Sequence, residues 1–209
     1  MSQPKIKICG ITNLEDAELS LEAGAAFLGF NFYQNSKRYI EPEKVKEIVA
    51  ALPSDKKYFG VFVNHSREEV VEIAAISGIS GLQFHGDEPD SMLEDWSEFE
   101  VIKVLRLKAL PEISKLKALL EKADYLLFDS FSDKEYGGTG KTIAGDILEE
   151  LTDKNILQRL FIAGGVTSSN IKSISDLSPF AIDLASGVES DNPRKKSLEK
   201  IKTLFRNLE

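Results

Sequence analysis

The chain has 209 residues, 42% hydrophobic and 29% charged, which is ordinary for a globular protein of one large or two small domains. The formal charge of −8 argues against a nucleic-acid-binding surface, and the absence of eighteen consecutive apolar residues predicts no membrane-spanning helix. A single cysteine excludes an internal disulfide, and no Cys/His spacing typical of a metal site occurs.

Short β-rich runs alternate with amphipathic stretches along the whole chain. The runs predicted as strands are 5–9, 26–32, 58–63, 81–84, 100–105, 125–129, 159–164 and 180–185. Helical periodicity is clearest over 13–24, 41–52, 67–78, 110–123 and 167–178. Typical start residues (Asn13, Ser66, Ser168) and end residues (Gly24, Gly78) bound some of these helices. Such alternation indicates a parallel sheet with helical crossovers.

Eight strand–helix units form either a closed (β/α)₈ barrel or an open doubly wound sheet. An open sheet usually carries a GxGxxG nucleotide motif after an early strand, and the segment CGITNLED after the first run has none. The count of eight therefore favours an α/β fold with a single TIM-barrel domain over residues 1–209, although the length is near the lower bound for that fold.

Polar and reactive residues stand at the carboxyl ends of the predicted strands, where such barrels carry their sites. These residues are Cys9, Asn31, Asn64, His85, Arg106, Asp129, Gly164, Gly165 and the segment 183–187. Strand alternation puts Lys5, Lys7 and Cys9 on one face, so a thiol and the Asp129 carboxyl can project into one mouth. Because a nearby cation lowers a thiol pKa, we expect Lys7 to lower that of Cys9.

Each candidate also has a purely structural interpretation. A lone cysteine at a strand end is usually a small buried hydrophobe. Asp129 is also compatible with a turn cap, His85 with a bond to a loop carbonyl, and Arg38 in NSKRYI with a solvated surface charge.

Two glycine-containing loops give a more specific signal. Gly164 and Gly165 follow the seventh strand in FIAGGV, and Ser186 and Gly187 follow the eighth in LASGVE. Glycine allows backbone N–H groups to approach an anion, and the last two loops of barrels frequently bind phosphate. The pair therefore predicts a phosphate site.

The segment 129–142 is a long glycine-rich connection that includes GGTGKT. A P-loop would need glycine at position 135, where the chain has Glu135, so this is not a nucleotide site. We interpret the segment as a mobile cover over the site.

Taken together, seven segments resemble the phosphoribosylanthranilate isomerase family. They are KICGIT, GFNFYQNSKRYI, GVFVN, LQFHGDE, LLFDS with GGTGKT, IAGGVTSSNI and IDLASGVES, in order over nearly the whole chain. The resemblance implies a (β/α)₈ barrel of tryptophan biosynthesis that catalyses a cofactor-free Amadori rearrangement. It implies N-(5-phosphoribosyl)anthranilate as substrate and 1-(2-carboxyphenylamino)-1-deoxyribulose 5-phosphate as product.

The resemblance implies Cys9 as general base, Asp129 as general acid and Arg38 as the partner of the anthranilate carboxylate. The full set expected to bind substrate is Arg38, His85, Asp183, Gly164, Gly165, Ser186 and Gly187. No metal or cofactor is expected. The chain departs from the usual family wording at Lys37, at 143–144 and at Ala185, none of which belongs to the acid–base pair.

Two alternatives stay open. One is a related phosphosugar isomerase such as that of histidine biosynthesis. The resemblance to that family implies an aspartate as the base at the position where this chain has Cys9. The other is a non-catalytic phosphate-binding barrel. We further expect a monomer or homodimer that binds a small phosphosugar–anthranilate and neither nucleic acid nor membrane. The segment MSQPKIKI lacks the apolar core of a secretion signal, which predicts a cytoplasmic location.

Overall fold

Eight parallel strands pair in chain order, and the eighth pairs with the first to close a barrel. The structure is a computed structural model that describes residues 3–130, 151 and 153–208. The strands are β1 (Lys5–Cys9), β2 (Phe27–Asn31), β3 (Lys57–Phe62), β4 (Gly81–Phe84), β5 (Glu100–Leu107), β6 (Tyr125–Ser130), β7 (Leu160–Ile162) and β8 (Ala181–Leu184). The (β/α)₈ barrel predicted from the sequence is confirmed.

Helices connect the strands on the outside of the barrel. Those in the described residues are α1 (Leu14–Glu22), α2 (Pro42–Ala51), α3 (Arg67–Ser77), α4 (Ile113–Leu120), α5 (Lys154–Leu157), α6 (Ile171–Asp176) and α7 (Leu198–Arg206). Short 3₁₀ turns cover Asp90–Leu93 and Ser186–Val188. The longest described helix has 11 residues, too few to cross a bilayer. The predicted cover beyond residue 130 lies outside the described residues, as do positions 143 and 144.

Local side-chain chemistry sets several helix boundaries. The Asn13 side chain accepts a hydrogen bond from the Asp16 N–H, and Ser66 forms a reciprocal capping box with Glu69. Gly78 ends α3 in a left-handed conformation at φ 71°. These predicted boundaries are confirmed.

The predicted start of the helix after β7 is wrong. Helix α6 begins at Ile171, three residues beyond Ser168. The Asn170 side chain accepts a hydrogen bond from the Thr167 N–H at 2.8 Å and donates one to the Gly165 carbonyl at 3.0 Å. These bonds hold residues 165–170 as a loop, and the helix starts only after it.

Strand alternation sorts the side chains into two layers. Ile6 and Ile8 on β1 pack in the layer between the barrel and the helices, in the same buried cluster as Val45 and Ile201. Inside the barrel, the lower half is filled by a separate cluster, which we call the aromatic floor: Phe27, Phe59, Ile102, Val104, Leu127, Phe161, Ala163 and Ala181. Burying each of the larger side chains in this cluster stabilises the fold by about 1.5–3 kcal/mol. The polar residues of the site lie above this packed floor.

Candidate active site

A concave site opens at the carboxyl ends of the strands. All nine residues predicted for the site line it: Cys9, Arg38, His85, Asp129, Gly164, Gly165, Asp183, Ser186 and Gly187. Asn31 lines it too. Two other candidates from the strand ends, Asn64 and Arg106, contact a loop residue. Asn64 accepts a hydrogen bond from the Asp87 N–H at 2.8 Å, and Arg106 forms a salt bridge with the Asp87 carboxylate at 2.6 Å.

The Cys9 thiol lies at the end of β1, buried beside Gly29 of β2. A Cβ atom added at Gly29 would lie 2.8 Å from Cys9 Sγ and 3.1 Å from Lys7 Nζ. The thiol and the ammonium therefore share a space that exists because position 29 has no side chain. The sequence did not single out Gly29, although a glycine inside a strand signals close approach by another group.

The Lys7 ammonium is fully buried and held by two acceptors. Its Nζ donates to Asp183 Oδ1 at 3.0 Å and to Gln83 Oε1 at 2.8 Å. The β1–β8 register puts Lys7 directly opposite Asp183. Burial opposes the charge, but Asp183 and the Cys9 sulfur raise the pKa of Lys7, so the ammonium form persists.

The expected lowering of the thiol pKa is not found. Burial raises the pKa of Cys9 above its ordinary value, and Lys7 opposes this rise without cancelling it. Lys7 acts in the predicted direction, but the cost of desolvating a thiolate at this depth is larger. Cys9 is therefore the thiol at neutral pH.

The Asp129 carboxyl lies at the end of β6 and is buried. Its Oδ2 atom is 3.3 Å from Nε2 of His85, which follows β4. The other ring nitrogen, Nδ1, is 3.2 Å from Gln83 Nε2. His85 therefore lies between Gln83 and the carboxyl group, which is more specific than the loop-carbonyl contact considered from the sequence.

Arg38 reaches the cavity from the loop after β2 and is held by a carboxylate. Its Nε and Nη2 atoms donate to the two oxygens of Glu189 at 2.5 and 2.9 Å. Lys196 Nζ donates to Glu189 at 3.1 Å and to the Cys9 carbonyl at 2.7 Å. Burial opposes ionisation, yet Arg38 and Lys196 hold the pKa of Glu189 below its usual range. Burial lowers the pKa of Lys196, although Glu189 opposes this effect. The Arg38 guanidinium stays charged, so the cavity wall carries a cation at this point.

The loops after β7 and β8 approach each other closely at the rim. Gly164 and Gly165 adopt left-handed conformations at φ 82° and 67°. A Cβ atom at Gly187 would collide with the Val166 backbone carbonyl, so only glycine permits this contact between the loops. Within the described residues, the N–H groups of Gly164 and Gly165 have no hydrogen-bond acceptor. Their donors suit an anion, as the sequence predicted.

Four site residues were not predicted: Gly29, Gln83, Glu189 and Lys196. Gln83 carries a detectable signal, because a polar residue in the short apolar run GLQF shares the inward face with Gly81. Glu189 and Lys196 come from the irregular connection after β8, where no periodicity predicts direction. Over the described ranges, no group of three or more His, Cys, Asp or Glu side chains is arranged to hold a metal ion.

The closed barrel and the cavity at its carboxyl end define a (β/α)₈-barrel protein with its site where enzymes of this class carry theirs. A model of the family "N-(5'phosphoribosyl)anthranilate (PRA) isomerase" matches residues 6–207. The chain belongs to this family, as its motifs predicted.

Individual relatives agree over nearly their whole length. The N-(5'-phosphoribosyl)anthranilate isomerase of Nostoc punctiforme is 38% identical over 209 residues, covering 98% of each chain. The crystal structure of the Thermus thermophilus phosphoribosyl anthranilate isomerase superposes with a TM-score of 0.87 at 34% identity, covering 98% of each chain. A second isomerase structure is bound to reduced 1-(o-carboxyphenylamino)-1-deoxyribulose 5-phosphate, with a TM-score of 0.80, 35% identity and 98% coverage of both chains.

Proposed function

We propose that the chain catalyses the conversion of N-(5-phosphoribosyl)anthranilate into 1-(2-carboxyphenylamino)-1-deoxyribulose 5-phosphate, a step of tryptophan biosynthesis. One observation carries the proposal: a thiol (Cys9) and a carboxyl (Asp129) line the same cavity, whose rim carries two glycine loops. The relatives bear the name of this isomerase, and one related structure holds the reduced form of the product.

The first step opens the ribose ring. Asp129 donates a proton to the ring oxygen while the bond from that oxygen to C1 breaks. The lone pair of the anthranilate nitrogen forms the C1=N bond, which gives a cationic Schiff base. Asp129 is left as a carboxylate.

The second step removes the C2 proton. The Cys9 thiolate takes it, the C–H electron pair forms C1=C2, and the C=N pair returns to nitrogen. The enolamine then gains a proton at C1 and loses one from the C2 hydroxyl, giving the ketone. The proton taken by Cys9 balances the one given by Asp129, so the rearrangement needs no oxidant, reductant or cofactor.

Formation of the Schiff base also explains how a buried thiol becomes a base. Burial raises the pKa of Cys9 in the empty cavity. The cationic nitrogen formed in the first step stands next to the C1–C2 bond and favours a thiolate beside it. With Lys7 already in place, the thiolate becomes accessible when it is needed.

The remaining residues bind the two ends of the substrate. The backbone N–H groups of Gly164, Gly165 and Gly187, with Ser186, take the phosphate. Arg38, held by Glu189, faces the anthranilate carboxylate. Asp183 and His85 are proposed to contact the sugar between these ends.

Direct assay tests the proposal. The purified chain is incubated with N-(5-phosphoribosyl)anthranilate, and carbon-13 NMR follows the appearance of a C2 ketone and a C1 methylene. Ketone formation well above the uncatalysed background is expected, and none above background would overturn the proposed activity. Conversion of the histidine-pathway aminoaldose instead would support the related isomerase, and product binding without turnover would support the non-catalytic barrel.

Location and assembly remain predictions. The sequence predicts a cytoplasmic protein that is a monomer or a homodimer. One related structure consists of monomers generated from a dimeric Thermotoga maritima isomerase, which motivates measurement of the mass in solution.

A further inference from the structure

A continuous line of polar side chains crosses the barrel from β1 to β6, and three of its four members line the cavity. Lys7 donates to Gln83 Oε1 at 2.8 Å, and Gln83 Nε2 lies 3.2 Å from His85 Nδ1. His85 Nε2 then lies 3.3 Å from Asp129 Oδ2. Lys7 and Gln83 are 0% and 1% exposed, so water does not substitute for these contacts.

The ammonium of Lys7 determines which way the Gln83 amide faces. An ammonium group has three donors and no acceptor, so the Gln83 atom that faces it is the carbonyl oxygen. The NH₂ group therefore faces His85 Nδ1. A nitrogen that meets an NH₂ donor must itself accept, so Nδ1 carries no proton and the ring proton lies on Nε2. In a doubly protonated ring, the Nδ1–H donor would face the NH₂ donor of Gln83, and neither could accept a hydrogen bond.

The Nε2 atom of His85 lies close to the acid, Asp129. Nε2 is buried without a hydrogen-bond partner among the described residues, and the adjacent Asp129 carboxyl is close but poorly aligned. Catalytic hydrogen bonds are often loose in an empty site and tighten with substrate bound. A donor at this point stabilises the carboxylate that forms as Asp129 gives up its proton.

We propose that Gln83 is a positioning residue. Its amide is oriented by the hydrogen bond from the Lys7 ammonium, and it holds the His85 ring as the Nε2–H tautomer. This tautomer places a donor beside Asp129 and so supports its role as the general acid. The last part of this inference rests on the proposed function. The tautomer itself does not depend on that function, so the two parts can fail separately.

The decisive variant is Gln83→Glu, which keeps the shape and the acceptor for Lys7. It replaces the donor facing His85 with an acceptor, so the ring proton should move to Nδ1 and leave a bare nitrogen facing Asp129. The matched control, Gln83→Met, removes the donor without supplying an acceptor. The glutamate variant should lose about tenfold or more in kcat with little change in KM. The methionine variant should lose less, because nothing in it forces the ring proton onto Nδ1.

Nitrogen-15 NMR of the histidine rings gives a readout that a merely structural role would not change. The chain has two histidines, and loss of one set of signals in His85→Asn assigns the ring. We expect the Nε2–H tautomer in the wild-type protein and the Nδ1–H tautomer in Gln83→Glu. A wild-type ring protonated at Nδ1, or a glutamate variant that switches tautomer at unchanged kcat, would overturn the proposal. If the glutamate variant fails to fold, the wild-type tautomer decides alone. A wild-type chain without turnover would defeat the proposed function and leave the tautomer assignment intact.

Discussion

Cys9 and Asp129 stand on strands that are not neighbours in the barrel, and each has its own supporting cation or donor. Lys7 lies beside the thiol and His85 beside the carboxyl, while Gln83 contacts both supports. The two halves of the acid–base pair are therefore held by one set of contacts.

Removing either reacting group tests the assignment most directly. Cys9→Ala and Asp129→Asn should each lower kcat by about two to four orders of magnitude, because each removes one proton-transfer step. Steady-state kinetics on the proposed substrate measures the loss. Phosphate-site occupancy, followed by competition with inorganic phosphate, should be nearly unchanged in both variants. Near-normal kcat in either would defeat its role.

Lys7 should set the pH dependence through Cys9. The reactive form is the thiolate, so the rate rises with pH through the pKa of Cys9. Since burial raises that pKa and Lys7 opposes the rise, Lys7→Met should move the rising limb to higher pH. The thiolate absorbance of this single cysteine provides an independent titration. A limb that moves to lower pH, or does not move, would contradict the assignment.

At the scale of elements, strand faces were predictable and loop contacts were not. The inward direction of Lys7, Cys9 and Asp183 follows from the two-residue period of a strand, which is fixed by its geometry. The start of α6 depends on two hydrogen bonds of Asn170 that no local pattern predicts. Glu189 is even less predictable, because its contact with Arg38 joins residues 151 positions apart.

The pKa of the Cys9 thiol was also only partly predictable from the sequence. The sequence gives the neighbour, Lys7, and the sign of its effect on the pKa of Cys9. It does not give the depth of the sulfur in the barrel, which decides the net shift. Gly29 contributes to that depth only because β2 lies beside β1 in the folded barrel.

The close approach of the last two loops should be sensitive to one methyl group. In Gly187→Ala the added Cβ would meet the Val166 carbonyl and force the loops apart, so KM should rise about tenfold while the acid–base pair is untouched. Ser186→Ala is the matched control, since it removes a hydroxyl and keeps the backbone geometry. Steady-state kinetics gives KM for both variants, and inhibition by inorganic phosphate measures the affinity of each phosphate site. Together they separate the effect of loop spacing from that of the lost hydroxyl. An unchanged KM in the alanine variant at position 187 would show that the loop spacing does not matter.

At the scale of the whole molecule, the aromatic floor contributes to stability through its buried rings. Phe161 is fully buried there, with ring centroids 5.7 Å from Phe27 and 6.4 Å from Phe59. Phe161→Ala should lower the free energy of unfolding by about 3–5 kcal/mol, because it removes the ring and leaves a cavity. Val71→Ala, on the exposed side of α3, should change it by less than about 0.5 kcal/mol. Denaturant unfolding measures both, and equal effects would contradict this account of the floor.

The same packed floor has a consequence for the order of events in turnover. With the lower half of the described barrel filled by packed side chains, we expect the proposed substrate to enter and the ketone to leave through the cavity at the carboxyl end. A substrate molecule can therefore bind only after the product of the previous turnover has dissociated. Added product should therefore raise the apparent KM and leave kcat unchanged. Inhibition that lowers kcat would require a second place on the molecule for the product to occupy.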